Sequence, residues 1–275
     1  MNDILMEVRD LSYRYPDQTL ALDHVNLTIR RHERLAIMGS NGSGKSTLFL
    51  NLNGVYKPTE GQILYEGQPV DYSRKGLLEL RRKVGIVFQE PDNQLFCASV
   101  AGEISFGLYN LGLEESVIRA RVDEVCDRLS ITPFRSKPTH FLSGGQKKRV
   151  SIADSLVMQP ELLILDEPFS ALDPTHAQMI DQILRTLSDS GITVVISTHE
   201  ADRIYPWADR VVVLNNSHIL ADGTPDEIFS DIPLLTAANL EQPTLLQVSQ
   251  TLHRAGILPQ NCHPRTAQQL EQMLK

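Results

Sequence analysis

The chain has 275 residues, of which 41% are hydrophobic, and its formal net charge is -8 at pH 7. A chain of this length and composition can form one large domain or two small ones, with a sizeable core. The negative charge disfavours nonspecific attraction to nucleic acid or to anionic lipid, so we predict no nucleic-acid partner.

The cysteines and the amino terminus indicate a reducing compartment. Cys97, Cys126 and Cys262 show no paired spacing, which argues against a disulfide framework and favours the cytosol. The first ten residues carry acids and lack the basic start and apolar core of a signal peptide. No uninterrupted apolar stretch approaches the length of a membrane span, so we expect any membrane role to be peripheral.

Short apolar runs rich in Val and Ile predict buried strands. These runs are residues 35–38, 84–88, 162–165, 193–196 and 211–214. Helical patterns alternate with them, which predicts an α/β fold with a mostly parallel sheet. Because the runs are apolar throughout, both faces of this sheet should be covered.

A glycine-rich segment follows the first of these strands. Residues 39–47 (GSNGSGKST) fit the phosphate-loop pattern G-x-x-x-x-G-K-[ST] and precede a helix that carries Leu48, Phe49 and Leu52. Glycines let backbone N–H groups surround an anion, and the helix start presents unpaired N–H groups to the same phosphates. A flexible Gly/Ser turn is the alternative, and the flanking strand and helix argue against it. The predicted nucleotide-binding residues are Gly39, Ser40, Asn41, Gly42, Ser43, Gly44, Lys45, Ser46 and Thr47.

Two side chains of this segment should have individual roles. Lys45 is expected to reach the outer phosphates of the nucleotide. Ser46 supplies a hydroxyl for Mg²⁺, a hard ion that prefers oxygen ligands and keeps several waters.

The strand pattern stops between residues 91 and 150, which we predict to form a helical subdomain. Within it, Ile118, Val122, Val125 and Leu129 keep the spacing of one helix face. The subdomain would interrupt a nucleotide-binding core formed by residues 1–90 and 151–232.

The sequence LSGGQ, residues 142–146, is a second glycine-rich turn far along the chain from the first. Ser143 and Gln146 satisfy the S-x-x-Q capping box, so this signature turn could be only the start of a helix. A capped helix start with two glycines is also an anion site, so the same geometry could receive a γ-phosphate. These residues alone leave the question open.

The run at residues 162–165 leads into Asp166 and Glu167, at the end of a buried strand beside the phosphate loop. Asp166 is expected to hold Mg²⁺ through water. Adjacent strand residues point to opposite sides, so the two carboxylates are free to have different roles. We predict Glu167 as the general base for the water that attacks the γ-phosphate. The alternative is an acidic turn, closed by Pro168. Together the three segments point to ATP.

The next helix should begin at Asp173 as N-cap with Pro174 at the first helical position. Its buried face is predicted from a stripe at three-and-four spacing. This stripe consists of Ile180, Ile183, Leu184 and Leu187.

Residues 233–275 are predicted to form a small C-terminal helical extension, punctuated by prolines. Leu245, Val248 and Leu252 give an apolar stripe suited to helix packing, and we expect the extension to support dimerisation. His253, Cys262 and His263 have no compact metal-binding spacing, so we assign them structural roles.

The phosphate loop, LSGGQ and LLILDEP occur in the order typical of the ATP-binding cassette (ABC) family of ATPases, which residues 1–232 resemble. The resemblance implies a RecA-like P-loop core and a head-to-tail pair of cassettes, in which LSGGQ of one chain completes the ATP site of the other. It leaves open whether the second cassette is an identical or a related chain. Residues implied to act in trans are Ser143, Gly144, Gly145, Gln146 and Asp173.

Further roles are implied by the same resemblance. Tyr15 resembles the aromatic residue that stacks on adenine. Gln89, after the second predicted strand, resembles the glutamine that contacts magnesium or the attacking water at the junction of the core and the helical subdomain. His199, in the sequence STHE, resembles the switch histidine that contacts the γ-phosphate. Lys148 and Asp154 depart from the family pattern, and we expect them to affect only packing and partner fit.

Residues 87–96 (VFQEPDNQLF) and 205–214 (YPWADRVVVL) resemble the energy-coupling factor branch, most closely its cobalt or nickel importers. This implies an ATPase at the cytoplasmic face of the membrane, docked on a transmembrane coupling protein, with a separate membrane protein that binds the substrate. A generic ABC importer ATPase, a vitamin-type energy-coupling factor ATPase and a soluble non-transport ABC ATPase remain alternatives. A P-loop kinase or GTPase offers no reason for LSGGQ.

Overall fold

Two sheets and a set of helices make up the computed structural model, which describes residues 3–259 and 262–274. The strands are β1 (Ile4–Arg14), β2 (Leu20–Arg30), β3 (Arg34–Met38), β4 (Glu60–Tyr65), β5 (Gln68–Pro69), β6 (Val84–Val87), β7 (Leu162–Leu165), β8 (Thr193–Ser197), β9 (Arg210–Asn215) and β10 (His218–Gly223). The helices are α1 (Lys45–Leu52), α2 (Arg74–Lys83), α3 (Val100–Asn110), α4 (Glu115–Arg128), α5 (Gly144–Leu156), α6 (Pro174–Asp189), α7 (Ala201–Ile204), α8 (Pro225–Ser230), α9 (Ile232–Ala238), α10 (Thr244–Arg254) and α11 (Ala267–Met273).

The larger sheet has the strand order β10-β9-β3-β8-β7-β6. Its five strands from β9 to β6 are parallel, and β10 pairs antiparallel with β9 at one edge. The predicted α/β fold with a mostly parallel sheet is therefore confirmed, and all five strands predicted from the sequence belong to this sheet.

The second sheet is antiparallel, with the order β2-β1-β4-β5, and the sequence analysis did not predict it. Its long strands mix buried and exposed residues without strict alternation, and they contain register shifts, as in β1 between Val8 and Leu11. These irregularities interrupt the strict two-residue period that identifies a half-buried strand.

Alternation along the parallel strands divides the core into two layers. Leu35 and Ile37 of β3 pack towards α1 and the antiparallel sheet, whereas Ala36 and Met38 pack towards the layer that contains α5 and α6. The same alternation occurs in β7, β8 and β9. Full burial of a large aliphatic side chain contributes about 1.5–3 kcal/mol, so these strands are secured from both faces.

Residues 88–161 contain α3, α4 and α5 and no strand, as the loss of the strand pattern predicted. Helix α4 buries Ile118, Val122 and Val125 on one face. Helix α5 crosses position 150, so the predicted limit of the helical subdomain falls inside a helix. The predicted domain limits stay predictions.

Helix α6 begins as predicted. Pro174 is its first residue, and the Asp173 side chain accepts a hydrogen bond from the backbone N–H of His176. The helix buries Ala177, Ile180, Leu184 and Leu187. Ile183 of the predicted stripe is only partly buried, because the buried face is rotated towards Ala177, which the predicted stripe did not include.

The C-terminal extension packs on the rest of the chain through a face other than its predicted apolar stripe. Helix α10 buries Leu246 and Ser249 against the rest of the chain. Within the predicted stripe, Leu245 and Leu252 are half-buried and Val248 is 42% exposed. Nearly half of the Val248 surface is thus left uncovered by this chain.

Among residues 3–259 and 262–274, none of the helices combines the length and the hydrophobicity that a membrane span requires.

Candidate ATP-binding site

Apart from Tyr15 and the residues implied to act in trans, the predicted site residues follow four neighbouring parallel strands. The phosphate loop follows β3, Gln89 follows β6, Asp166 and Glu167 follow β7, and His199 follows β8. The carboxyl ends of parallel strands meet at one edge of a sheet, which is where such folds bind ligands.

A cavity of about 410 Å³ lies at this edge. It brings together ten of the residues predicted from the sequence: Tyr15, Asn41, Gly42, Gly44, Lys45, Ser46, Thr47, Gln89, Asp166 and Glu167. Thr19, Leu20 and Ala21 also line it and were not predicted, because they belong to an antiparallel strand and its approach, which carried no motif. Gly39, Ser40 and Ser43 belong to the same loop without lining the cavity.

The phosphate loop depends on glycine at specific positions. Gly39 and Gly44 have φ values of 149° and 110°, in the region that favours glycine. A Cβ on Gly39 would lie 2.1 Å from the carbonyl oxygen of Leu214, and one on Gly44 would lie 2.6 Å from that of Ala21. The loop therefore packs against its neighbours too closely for side chains.

Lys45 is buried and its ammonium donates to the carbonyl oxygens of Gly39 at 2.7 Å and Ser40 at 3.0 Å. Burial lowers the pKa of Lys45, while Glu167 and Asp166 raise it and so partly offset the effect. The cation is thus held inside the loop, at the position from which it can contact phosphate.

Tyr15 also lines the cavity. Its hydroxyl and the hydroxyl of Thr47, in α1, form a hydrogen bond of 2.7 Å. Tyr15 also contacts Tyr13 and Tyr56 edge-to-face, with ring centroids 5.3 Å and 6.0 Å apart. These contacts fix a flat aromatic ring beside the loop, as required for a residue that packs on a base.

The Ser197 hydroxyl joins the two acids. It donates to Oδ1 of Asp166 and accepts a hydrogen bond of 2.8 Å from the backbone N–H of Glu167. The expectation that Asp166 and Glu167 point to opposite sides is wrong, because both line the cavity. Strand β7 ends at Leu165, and Glu167 has a φ of 42°, so the alternation of a strand does not extend to it.

His199 lies beside Glu167. Its Nδ1 is 3.3 Å from the carboxylate oxygens of Glu167, and 66% of its side chain is exposed. Glu167 is in contrast almost completely buried. The pair therefore joins a buried carboxylate to an imidazole at the protein surface.

The residues implied to act in trans form a separate group that does not line the cavity. The capping box is present: Ser143 Oγ accepts from the N–H of Gln146, and the Gln146 side chain accepts from the N–H of Ser143. Ser143 and Gly144 are exposed. The structure thus presents the signature turn to the outside of the chain.

A histidine that the sequence analysis missed connects this turn to Asp173. His176 Nδ1 lies 2.6 Å from the Asp173 carboxylate, and its ring packs on Gly145, where a Cβ would lie 2.1 Å from Cδ2. Glycine is required here for lack of space. The neighbouring position of Asp173 and the signature turn could not be inferred from residues so distant in the sequence.

The residues assigned to magnesium fit such an ion chemically. The Ser46 hydroxyl, the Gln89 amide and the Asp166 carboxylate offer oxygen donors from three elements that line the same cavity. Mg²⁺ prefers oxygen ligands and keeps several bound waters, so a small number of protein oxygen atoms is enough to hold it.

Lys148 and Asp154 of α5 contact the segment around Gln89, which we call the Q-loop (residues 88–94). Lys148 is 1% exposed, and its ammonium donates to the carbonyl oxygens of Phe88 at 3.1 Å and Gln89 at 2.7 Å. Gln94 donates to Asp154 at 3.1 Å. The expectation that both residues affect only packing and partner fit is thus too narrow for Lys148, which holds the backbone of a cavity-lining residue.

Comparison with known proteins agrees with this geometry, in which a phosphate loop and paired acids at the sheet edge define a P-loop nucleotide-binding protein. Residues 22–170 match the family model for ABC transporters. The chain is 48% identical over 252 residues to the energy-coupling factor transporter ATP-binding protein EcfA of Methanothermobacter thermautotrophicus, which covers 92% of this chain and 81% of that protein.

Solved structures give the same result. CbiO1 of Clostridium perfringens, described as part of the ABC transporter complex cbiONQ, has a TM-score of 0.77 and 45% identity, covering 93% of this chain and 98% of that one. The dimeric ATP-binding cassette MJ0796 bound to ADP and Pi has a TM-score of 0.73 and 28% identity, covering 80% and 99%. The chain belongs to the ABC transporter family of ATPases, in the branch of the energy-coupling factor ATP-binding proteins. It binds ATP and couples ATP hydrolysis to transport.

Asp154→Asn is expected to increase the free energy of unfolding at about pH 8 by up to about 3 kcal/mol. Burial raises the pKa of Asp154 to about 6 from its ordinary value of 3.8. The folded state therefore binds a proton on the Asp154 carboxyl group more tightly than the unfolded state does. The stability that this bound proton contributes is lost as the pH rises through 6. The gain from the substitution should shrink below pH 6 and disappear below pH 3.8. Urea unfolding of the variant and the wild-type chain across this pH range measures the gain in the free energy of unfolding.

Asp189→Asn is the matched control, because Asp189 is exposed at the end of α6. Its substitution should change the free energy of unfolding by less than about 0.5 kcal/mol at any pH. A gain for Asp154→Asn that did not vary with pH would contradict the assignment.

Proposed function

We propose that this chain is the ATP-hydrolysing motor subunit of an energy-coupling factor importer for cobalt or nickel ions, with ATP held between two cassettes. One observation carries the proposal for the paired cassettes: the chain has a nucleotide cavity and a separate, exposed signature turn that lies outside it. The cavity can be completed only by the signature turn of a second cassette, and the signature turn can act only on the cavity of that second cassette.

In the proposed site, the phosphate loop and Lys45 bind the phosphates of ATP, and the Tyr15 ring packs on the adenine. Ser46, Gln89 and Asp166 would hold Mg²⁺, which neutralises charge on the phosphates when bound. Glu167 accepts the proton of the attacking water, and the nearby imidazole of His199 orients that carboxylate and contacts the γ-phosphate. The partner cassette adds Ser143, the glycines of its signature turn, Gln146 and Asp173.

The second cassette can be a copy of this chain or a related one, and similarity to a dimeric ATP-binding cassette supports pairing in general. Residues 87–96 and 205–214, which resemble cobalt and nickel importers, support the choice of cargo. Uptake of radioactive cobalt and nickel by cells with and without this protein tests this choice of cargo. A vitamin as the cargo of the copurified substrate-binding protein would instead favour a vitamin-type transporter, the principal alternative.

An exposed aromatic pair near Gln89 is our candidate surface for the transmembrane coupling protein. Phe96 and Phe106 are 68% and 44% exposed, and their rings meet edge-to-face with centroids 4.9 Å apart. The buried carboxylate of Glu103 accepts from the backbone N–H groups of Phe96 and Cys97. Exposed aromatic side chains held in place in this way are typical of interfaces.

The Q-loop connects this surface to the cavity. Gln94 accepts from the N–H of Phe88 at 3.2 Å and donates to the carbonyl oxygen of Ser151 in α5. Motion of a partner bound at Phe96 would therefore be passed to Gln89 over a short, hydrogen-bonded stretch of chain. This supports a peripheral location at the cytoplasmic face of the membrane.

Glu167→Gln is expected to lower ATP turnover at least about 100-fold while ATP binding is kept, because the amide cannot take the proton from water. In ATP and magnesium, the variant should accumulate as a dimer of cassettes, measured by light scattering after size exclusion. Lys45→Ala is the control that weakens nucleotide binding itself. Near-normal turnover of Glu167→Gln would remove this residue as the base.

Adding Ser143→Arg to Glu167→Gln should abolish that dimer without loss of nucleotide binding, because Ser143 lies outside the cavity of its own chain. Fluorescent ATP titration measures the binding separately. A Glu167→Gln/Ser143→Arg protein that still dimerised in ATP would contradict the role of the signature turn in trans.

The double variant Phe96→Ser/Phe106→Ser should lose copurification with the membrane complex while it keeps ATP binding, because neither residue lines the cavity. Leu220→Ser removes a similarly exposed apolar side chain, 46% exposed on β10, and should copurify normally. Equal recovery of the membrane proteins with both variants would exclude this surface as the docking site.

Recovery of only soluble partners by the wild-type chain would favour a non-transport ABC ATPase.

A further inference from the structure

The short helix after His199 gains little stability from its own residues. Helix α7 has four residues, and no side chain caps its N-terminus at Glu200. A helix this short does not hold its shape alone, because the cost of nucleation exceeds the gain from so few hydrogen bonds. The conformation of the segment that carries His199 must therefore be fixed by neighbouring elements.

The C-terminal extension contacts the first half of α7. Asp202 accepts from the backbone N–H of Thr244 at 2.6 Å and from its hydroxyl at 2.9 Å. Helix α10 begins after Pro243, which has no side-chain donor or acceptor to cap it. Asp202 therefore serves as the cap of α10 from another element, and each helix fixes the other.

The extension also contacts the end of α7. Arg265 donates from Nε to the carbonyl oxygen of Tyr205 and from Nη2 to that of Ala208, each at 2.7 Å. Its guanidinium lies 5.4 Å from the centroid of the Tyr205 ring, and the Tyr205 hydroxyl donates to Asp226. One arginine thus satisfies two carbonyl groups of the turn that ends α7.

A third contact joins this segment to the turn that carries Glu167. Arg203 donates to Glu200 at 2.6 Å, and its guanidinium lies 4.8 Å from the ring centroid of Phe169, two residues after Glu167. The segment from His199 to Ala208 is therefore held between the Glu167 turn and the C-terminal extension.

We propose that Asp202 and Arg265 are positioning residues for His199, through which the C-terminal extension sets the distance between the imidazole and Glu167. This inference rests on the role of His199 in the proposed function. Through these two residues the C-terminal extension would affect the hydrolysis step, independently of any role that it has in dimerisation.

The test uses Asp202→Ala and Arg265→Met in the full chain, with histidine-ring NMR as the direct measurement. The chain has eight histidines, and loss of one signal in His199→Ala identifies that of His199. Both variants should shift or broaden this signal and leave those of distant histidines such as His24 in place. They should also lower kcat about tenfold with KM for ATP changed less than about twofold, because a misplaced catalytic group affects turnover more than binding. Asp202→Asn, which keeps one acceptor oxygen, should fall in between.

Asp231→Ala and Arg254→Met are the matched controls. Asp231 caps α9, and Arg254 donates to Thr251 within its own helix, so these substitutions remove similar contacts away from His199. Neither should change the His199 signal or kcat. In a His199→Ala background, Asp202→Ala and Arg265→Met should cause no further loss of turnover.

An unchanged His199 signal in both folded variants would overturn the inference, as would an equal fractional loss of kcat in the His199→Ala background. If Asp202→Ala does not fold, Thr244→Val removes the hydroxyl contact alone and the same readouts apply to it. Wild-type turnover by His199→Ala would remove His199 from the proposed mechanism, whereas the NMR signal would still report whether the extension positions its ring.

Discussion

Burial of the parallel sheet on both faces is the constraint on which the rest of the structure depends. Strands β3, β6, β7 and β8 are fixed by apolar layers above and below, so their ends can vary in position very little. Every predicted residue of the nucleotide cavity except Tyr15 lies at or just after one of these ends or at the start of α1. The rigidity required to orient reacting groups therefore comes from aliphatic packing. The polar contacts of the site then set the orientation of individual side chains.

Polar contacts within the site join neighbouring strand ends. The hydroxyl of Ser197, the last residue of β8, contacts both Asp166 and Glu167, which follow β7. Lys148, in α5, holds the backbone of the Q-loop after β6. Helix α5 starts at the signature turn, so the turn offered to a partner and the Q-loop of the same chain are linked by one rigid element. Events at the two surfaces of a cassette can be coupled through this helix.

Much of the core fold could be predicted because the decisive signals were local. The five parallel strands read as apolar runs, the phosphate loop has a strict spacing, and Asp173 and Pro174 mark a helix start within two residues. The antiparallel sheet was missed because bulges break its alternation and one face is partly exposed. The positive φ of Glu167 was missed because nothing in the sequence requires a left-handed residue there. Contacts such as Ser197 with Asp166 join distant segments, and only the folded chain reveals them.

The packing of His176 against Gly145 has a consequence for how such sequences can diverge. A side chain at position 145 would occupy space already filled by the imidazole, and moving the imidazole would take away its contact with Asp173. Gly145 therefore cannot be exchanged for a larger residue while His176 stays. A lineage that loses the glycine would first need a smaller residue at position 176, so these two sites should be inherited as a unit.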